Sequence, residues 1–172
     1  MGEVDLHFKP AVPVFDANVS LGRRHDRPVA VDTLEGTLQA MDRAGVARAL
    51  VYSPHAAGFD AREGNDLLWE TVQGSDRLVP QHVVNPAYDD VDTFASDVAE
   101  RGVGSVRLFP ALHRYPFRDW VVEPWLEWLS SQGIPFWVSA PEVDPAELHD
   151  TIAGHPGVTA VLSEVHYIQA MW

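Results

Sequence analysis

The chain contains no cysteine. That removes disulfides, thiol nucleophiles and thiolate metal ligands together, and it permits a reducing compartment. No stretch approaches the roughly 20 consecutive apolar residues of a membrane span. The first ten residues carry acids and Lys9 but no apolar core, so a secretory leader is not expected. Positive charge is scarce as well: 12 Lys and Arg face 25 Asp and Glu, a net charge of −13. A nucleic-acid partner draws its affinity from cations that neutralise phosphate, so this balance argues against one. No G-x-G-x-x-G follows the first apolar run, which leaves a dinucleotide fold without its phosphate cradle. Low-complexity segments and repeats of 20 to 50 residues are also missing. The expectation is a soluble, cytoplasmic, globular protein that handles a small molecule.

What is there is alternation. Six short apolar runs, at 11–15, 49–52, 78–84, 105–109, 135–138 and 159–162, are separated by five helical patterns. The runs are apolar throughout, as strands covered on both faces are. The first helix has Asp32 as its N-cap, Glu35 as the reciprocal partner, and Leu34, Leu38 and Met41 on one face before Gly45. A second begins near Asn65, a third near Asp92. A fourth carries Trp125, Leu126, Trp128 and Leu129, with Pro124 suited to its first turn. A fifth has Asp144 as cap, Pro145 first, and Glu147 closing the box. Strand, helix, strand units in series build a parallel sheet. The pattern is an α/β fold of the (β/α)8 TIM-barrel type, incomplete, with about six strands and five helices in a single domain over 1–172. A barrel of this kind needs roughly 250 residues. The 172 residues therefore predict either a C-terminal remainder that completes the barrel or a homo-oligomer that covers open strand edges.

In such a barrel, chemistry sits on the loops past the strand C-termini. The polar residues there are Asp16, Asn18 and Ser20; Ser53 and His55; Asn85; Arg107 and His113; Ser139 and Glu142; and Ser163, Glu164 and His166. Arg107 can clamp a carboxylate through two parallel N–H bonds. His55 or His113 can act as acid or base near neutral pH, and Glu164 can pair with His166. Structural roles compete with each of these. Asp16 can be a carboxylate satisfied by backbone N–H groups, loop histidines can be solvated, and His82 in mid-strand reads as a core residue. Trp120, Trp125 and Trp128 read as packing between helix and barrel.

Several segments, taken in order, resemble the amidohydrolase superfamily, in particular its amidohydrolase-related (amidohydrolase-2) branch. They are Val14-Phe15-Asp16-Ala17-Asn18, Met41-Asp42-Arg43-Ala44-Gly45-Val46 leading to Ala49-Leu50-Val51, Gly64-Asn65, and Val106-Arg107-Leu108-Phe109-Pro110. The resemblance implies a TIM barrel that hydrolyses C–N or C–O bonds or decarboxylates acids, usually with one or two divalent metals such as zinc. The metal pattern then departs from the family. Where members carry D-x-H-x-H, this chain has Asp16-Ala17-Asn18-Val19-Ser20, and Ser139 takes the place of the histidine on strand five. The histidine of strand six falls near Glu164, with His166 two residues on, and the aspartate of strand eight lies past Trp172. Amide and hydroxyl oxygens are poor zinc ligands, so no metal is expected, a nonstandard set of Asp16, His113, Glu164 and His166 being the alternative. Some members of the branch act on lactone or carboxylate substrates without metal. The resemblance therefore implies a lactonase- or decarboxylase-like enzyme, with Asp16, His55, His113, Glu164 and His166 as catalytic candidates. Asn18, Arg107 and Ser139 are the substrate-binding candidates. A non-catalytic binding barrel and an inactive truncated product are the alternatives.

Overall fold

The structure, a computed structural model, describes residues 10–166. The expectations for the N-terminal segment and for a connecting segment from Tyr167 onward fall largely or wholly outside the described residues. The chain runs β1 (Val14–Ser20), α1 (Leu34–Ala44), β2 (Val46–Tyr52), α2 (Pro54–Gly58), α3 (Ala61–Val72), β3 (Leu78–Pro80), β4 (His82–Val84), α4 (Val91–Arg101), β5 (Val106–Leu108), α5 (Pro110–His113), α6 (Asp119–Gln132), β6 (Phe136–Ser139), a single 3-10 turn (Ala140–Glu142), α7 (Pro145–Ala153) and β7 (Ala160–Ser163). Every pairing between these strands is parallel, in the orders β1-β2-β3 and β4-β5-β6-β7. The order follows the sequence, as it does around a barrel wall.

Strand β2 begins at Val46, three residues before the run expected at 49–52, and two other strands differ more deeply. The run 78–84 is one apolar stretch but two strands. Leu78, Val79 and Pro80 pair with β2, whereas His82, Val83 and Val84 pair with β5. Pro80 has no N–H to give, and Gln81 forms the joint, its N–H reaching the carbonyl of Val51 at 2.8 Å. The first strand begins at Val14 and runs on through the polar residues to Ser20. Backbone pairing with β2 accommodates them through a register shift between Asp16 and Val19, and Asp16 Oδ1 accepts the N–H of Asn18 at 3.1 Å.

The helix starts are set by caps. Thr33, not Asp32, caps α1, its hydroxyl accepting the N–H of Gly36 at 3.1 Å. Asp32 instead accepts from Arg23 at 3.2 Å. Helix α3 begins four residues earlier than expected because Asp60 accepts from the N–H of Glu63 at 2.7 Å. Asp144 caps α7 as expected, while Glu147 leaves the capping box to pair with Arg118 at 2.7 Å. Pro124 lies well inside α6 and not in its first turn. It leaves the carbonyl of Trp120 without an intrahelical donor.

Apolar side chains fill the layer between strands and helices. Val106, Leu108, Phe136 and Val138 pack with Phe94, Val98, Trp125, Leu126 and Leu129, and a second cluster gathers Met41, Ala49, Val51, Leu68, Val72 and Leu78. Burying each such side chain contributes about 1.5–3 kcal/mol. Trp120 departs from its expected packing role and is 77% exposed. It precedes the buried Val122 by two positions, about 200° around the helix. Helix α2 crosses α3 at Gly64, where a Cβ would sit 2.1 Å from the backbone nitrogen of Ala56. That contact brings α2 down beside the strand ends.

Candidate active site at the strand ends

Because successive side chains of a strand point to opposite faces, the residues between those of the helix-facing layer line the inside of the arc. On β5 the inner residue is Arg107, held between Val106 and Leu108. On β6 these are Trp137 and Ser139, and on β7 they are Val161 and Ser163, with Ser139 opposite Ser163 in register. The C-terminal ends of these strands border a cleft of about 350 Å³. Its walls include Tyr52 at the end of β2, Phe109 after β5, Ser139 at the end of β6, Glu142 and Glu164. A second wall comes from the loop after β1, which brings Arg24, His25, Asp26 and Arg27. Arg24 grips Asp26 with two bonds of 2.9 Å, and that guanidinium holds the Asp26 carboxyl down at about 2.

Glu164 stands in the left-handed backbone region, at φ 55°. A residue with a Cβ pays about 1–2 kcal/mol there. Strain of this kind gathers where a side chain is aimed for use. Glu142 is fixed differently: its carboxylate accepts the N–H of Leu112 at 2.9 Å, tying the turn after β6 to the short helix after β5.

Beneath Tyr52 lies Arg107, only 2% exposed. The Tyr52 ring centre is 4.3 Å from its guanidinium carbon, and that of Trp137 is 5.7 Å away. Its Nε donates to Gln81 Oε1 at 2.7 Å, and Gln81 Nε2 donates to Ser105 Oγ at 2.7 Å. Nη2 is buried without a partner. Burial pushes the pKa of Arg107 down, against the pull of Tyr52 and Glu164, and a guanidinium remains charged at neutral pH all the same.

The structure brings Ser139 and Glu164 together at this cleft, with Arg107 below it. His166 follows two residues after Glu164 on an exposed stretch. The other candidates lie elsewhere. Asp16 and Asn18 are exposed on β1, within the strand instead of past its end. His55 is directed toward α3, with Nε2 3.1 Å from Glu63 and its ring stacked on Phe59 at 5.2 Å. His113 places Nε2 at 2.9 Å from the carbonyl of Ala57. A carbonyl only accepts, so Nε2 carries the proton and Nδ1 holds the lone pair, buried and without a partner. Burial pushes the pKa of His113 down, so the ring is neutral at pH 7.

Tyr52, Arg24 and Arg27 line the cleft, and Gln81 holds Arg107, although no motif marks them. The run Arg23-Arg24-His25-Asp26-Arg27 in an acidic chain was the available signal for the loop. For Gln81 the signal was an amide closing an apolar run beside Pro80. Among the described residues no three His, Asp or Glu side chains gather so as to hold a metal ion. Asn18 and Ser139, at positions where the sequence resemblance would call for histidine ligands, offer neutral oxygens that do not suit zinc. These residues do not fit a zinc centre.

No family model matches the sequence, and no curated protein is similar to it at a significant level. Among solved structures, the fold is similar to that of an uncharacterized TIM-barrel protein from Bordetella bronchiseptica, with a TM-score of 0.60 and 15% sequence identity. The match covers 76% of this chain and 50% of that one. At this identity the likeness establishes the fold: the described residues form a TIM-barrel arc. No helix among them is long and apolar enough to cross a membrane.

Proposed function

We propose that the strand-end cleft is the site of a metal-independent hydrolase of the amidohydrolase-related type, acting on a small carboxylated or cyclic substrate such as a lactone. The observation that carries this reading is Arg107. A buried cation with an unpartnered donor lies against Tyr52, one wall of a cleft that also holds the Ser139 hydroxyl and the carboxylates of Asp26, Glu142 and Glu164. The arginine attracts and orients the anionic group of the substrate. Ser139 offers a hydrogen bond to the bound ring or acyl oxygen. Glu164 takes a proton from water as the water oxygen adds to the carbonyl, and returns it to the oxygen or nitrogen that leaves as the C–O or C–N bond breaks.

A second reading has its own support. His55 and His113 are both engaged in contacts that join helices, so of the predicted acid–base groups only the segment from Glu164 to His166 remains at the mouth. A barrel that binds its ligand without turning it over fits that economy. A panel of lactones and carboxylated esters separates the two readings. The hydrolase reading expects turnover that falls about 10²- to 10⁴-fold in Glu164→Gln, with Arg107→Ala acting mainly on KM. Binding that requires Arg107, with no hydrolysis of any member, selects the binding barrel.

A further inference from the structure

A buried arginine is costly unless something anionic meets it. This chain is rich in acids, and five of its eleven arginines stand beside a carboxylate. Arg23, Arg24, Arg77, Arg101 and Arg118 each have a carboxylate oxygen within 3.2 Å. All five are more exposed than Arg107. Arg107, the deepest of the six, touches no carboxylate among the described residues. Its contacts are the amide oxygen of Gln81 and the side chains of Tyr52 and Trp137, with Glu164 attracting it from a distance. Gln81 is itself 1% exposed. Its orientation is fixed by chemistry: arginine can only donate, so the amide oxygen faces Nε, and the amide nitrogen goes to Ser105 Oγ.

We infer that Gln81 is a positioning residue that holds Arg107 through a neutral acceptor and so reserves the guanidinium charge for a carboxylate of the ligand. A glutamate at this position would keep the bond to Nε and cancel the charge. An apolar residue would leave the charge and lose the aim. The amide does both tasks, and it makes the site selective for an anion over a neutral analogue of the same shape. The inference rests on the reading that the cleft takes a carboxylated small molecule.

Benzoate binding to the full chain, followed by NMR titration, tests it. The expected result is binding that Arg107→Ala abolishes. Gln81→Glu should weaken it by about ten- to a hundredfold at pH 8, since a close charge pair is then satisfied internally. That loss should shrink as pH falls and the introduced acid takes up a proton. The groups facing the pair are Tyr52 from β2 and Glu164 beyond β7, with Arg24 from the loop after β1; His82 packs toward Asp97 on α4. All are common to wild type and variant, so a pH dependence found only in Gln81→Glu belongs to the new carboxylate, and a purely structural role would not produce it. Gln81→Met, which removes the acceptor without adding charge, should weaken benzoate several-fold with no new pH dependence, and it decides the matter if Gln81→Glu does not fold. Binding that depends on Arg107 but is unchanged in the Gln81 variants overturns this inference alone. Failure of benzoate to bind the wild type, or binding indifferent to Arg107, overturns the functional reading and this inference with it.

Discussion

Two arginines on opposite faces of the same wall are treated in opposite ways. Arg101, on the helix side, is met by Asp66 at 2.5 Å and by Asp97 at 2.8 Å. Arg107, on the inner side, is met by an amide and two aromatic rings. The contrast extends to the layers around them. The helix-facing layer is apolar apart from the buried His82, and the charges at its edge are paired, so it is built for stability. The inner face carries Gln81, Arg107, Ser139 and Ser163, with Ser163 Oγ and Arg107 Nη2 both buried and unpartnered. Each buried donor or acceptor left without a partner costs about 1–3 kcal/mol. Unpartnered buried groups stand on the helix side as well, at His82 and at Arg101 Nη1, so what sets the inner face apart is that its deepest charge, Arg107, makes no ion pair.

The largest effect should come from the helix-facing layer. Phe136 is completely buried between β6 and the helices, and Phe136→Ala should lower stability by about 3–5 kcal/mol, measured by denaturant unfolding. A loss below about 1 kcal/mol would mean that the layer is not close-packed.

A somewhat smaller effect comes from acid. His82 is fully buried beside Asp97 and Phe94, and burial, reinforced by Arg101, depresses its pKa to about 4. The unfolded chain binds this proton near pH 6.5, the folded chain only near 4. The stability from neutral His82 is therefore complete above about pH 6.5 and is lost as pH falls toward 4, to a total of about 3 kcal/mol. Asp97, whose own pKa burial raises, works in the opposite sense. The comparison of wild type with His82→Gln isolates the histidine. The variant's stability should fall less steeply between pH 6.5 and 4, and parallel curves would show that His82 does not govern this limb.

The difference between the two faces also explains what could be read in advance. The helix-facing layer writes itself into the sequence as periodicity, so the strand runs, the five main helices and the parallel α/β plan were legible from Leu34, Leu38 and Met41 or from Trp125, Leu126 and Leu129. The breaks were not. Nothing apolar distinguishes 78–80 from 82–84, and the change of partner at Gln81 depends on the missing N–H of Pro80 and on where β5 lies. The two short helices after β2 and β5 each open with a proline at their first position, Pro54 and Pro110, a signal too brief to show in a periodic pattern. The site was half legible. Position past a strand end pointed to Ser139 and Glu164, which line the cleft, and equally to His55 and His113, which turn toward Glu63 and the Ala57 carbonyl. Asp16 and Asn18 were expected past the end of a first strand closing at residue 15, whereas β1 runs on to Ser20 across a register shift between Asp16 and Val19. Contacts between elements distant in sequence, such as Tyr52 over Arg107, leave no local mark.

Thermal unfolding of Arg107→Met beside Arg101→Met tests the central contrast most directly. Removing Arg101 leaves Asp66 and Asp97 without their cation, and should lower the melting temperature by several degrees. Removing Arg107 relieves a buried charge that makes no ion pair, Glu164 acting on it only from a distance, and should leave the melting temperature at or above that of the wild type. If Arg107→Met is destabilised as much as Arg101→Met, Arg107 is a structural residue, and the inner face is not reserved for an anion.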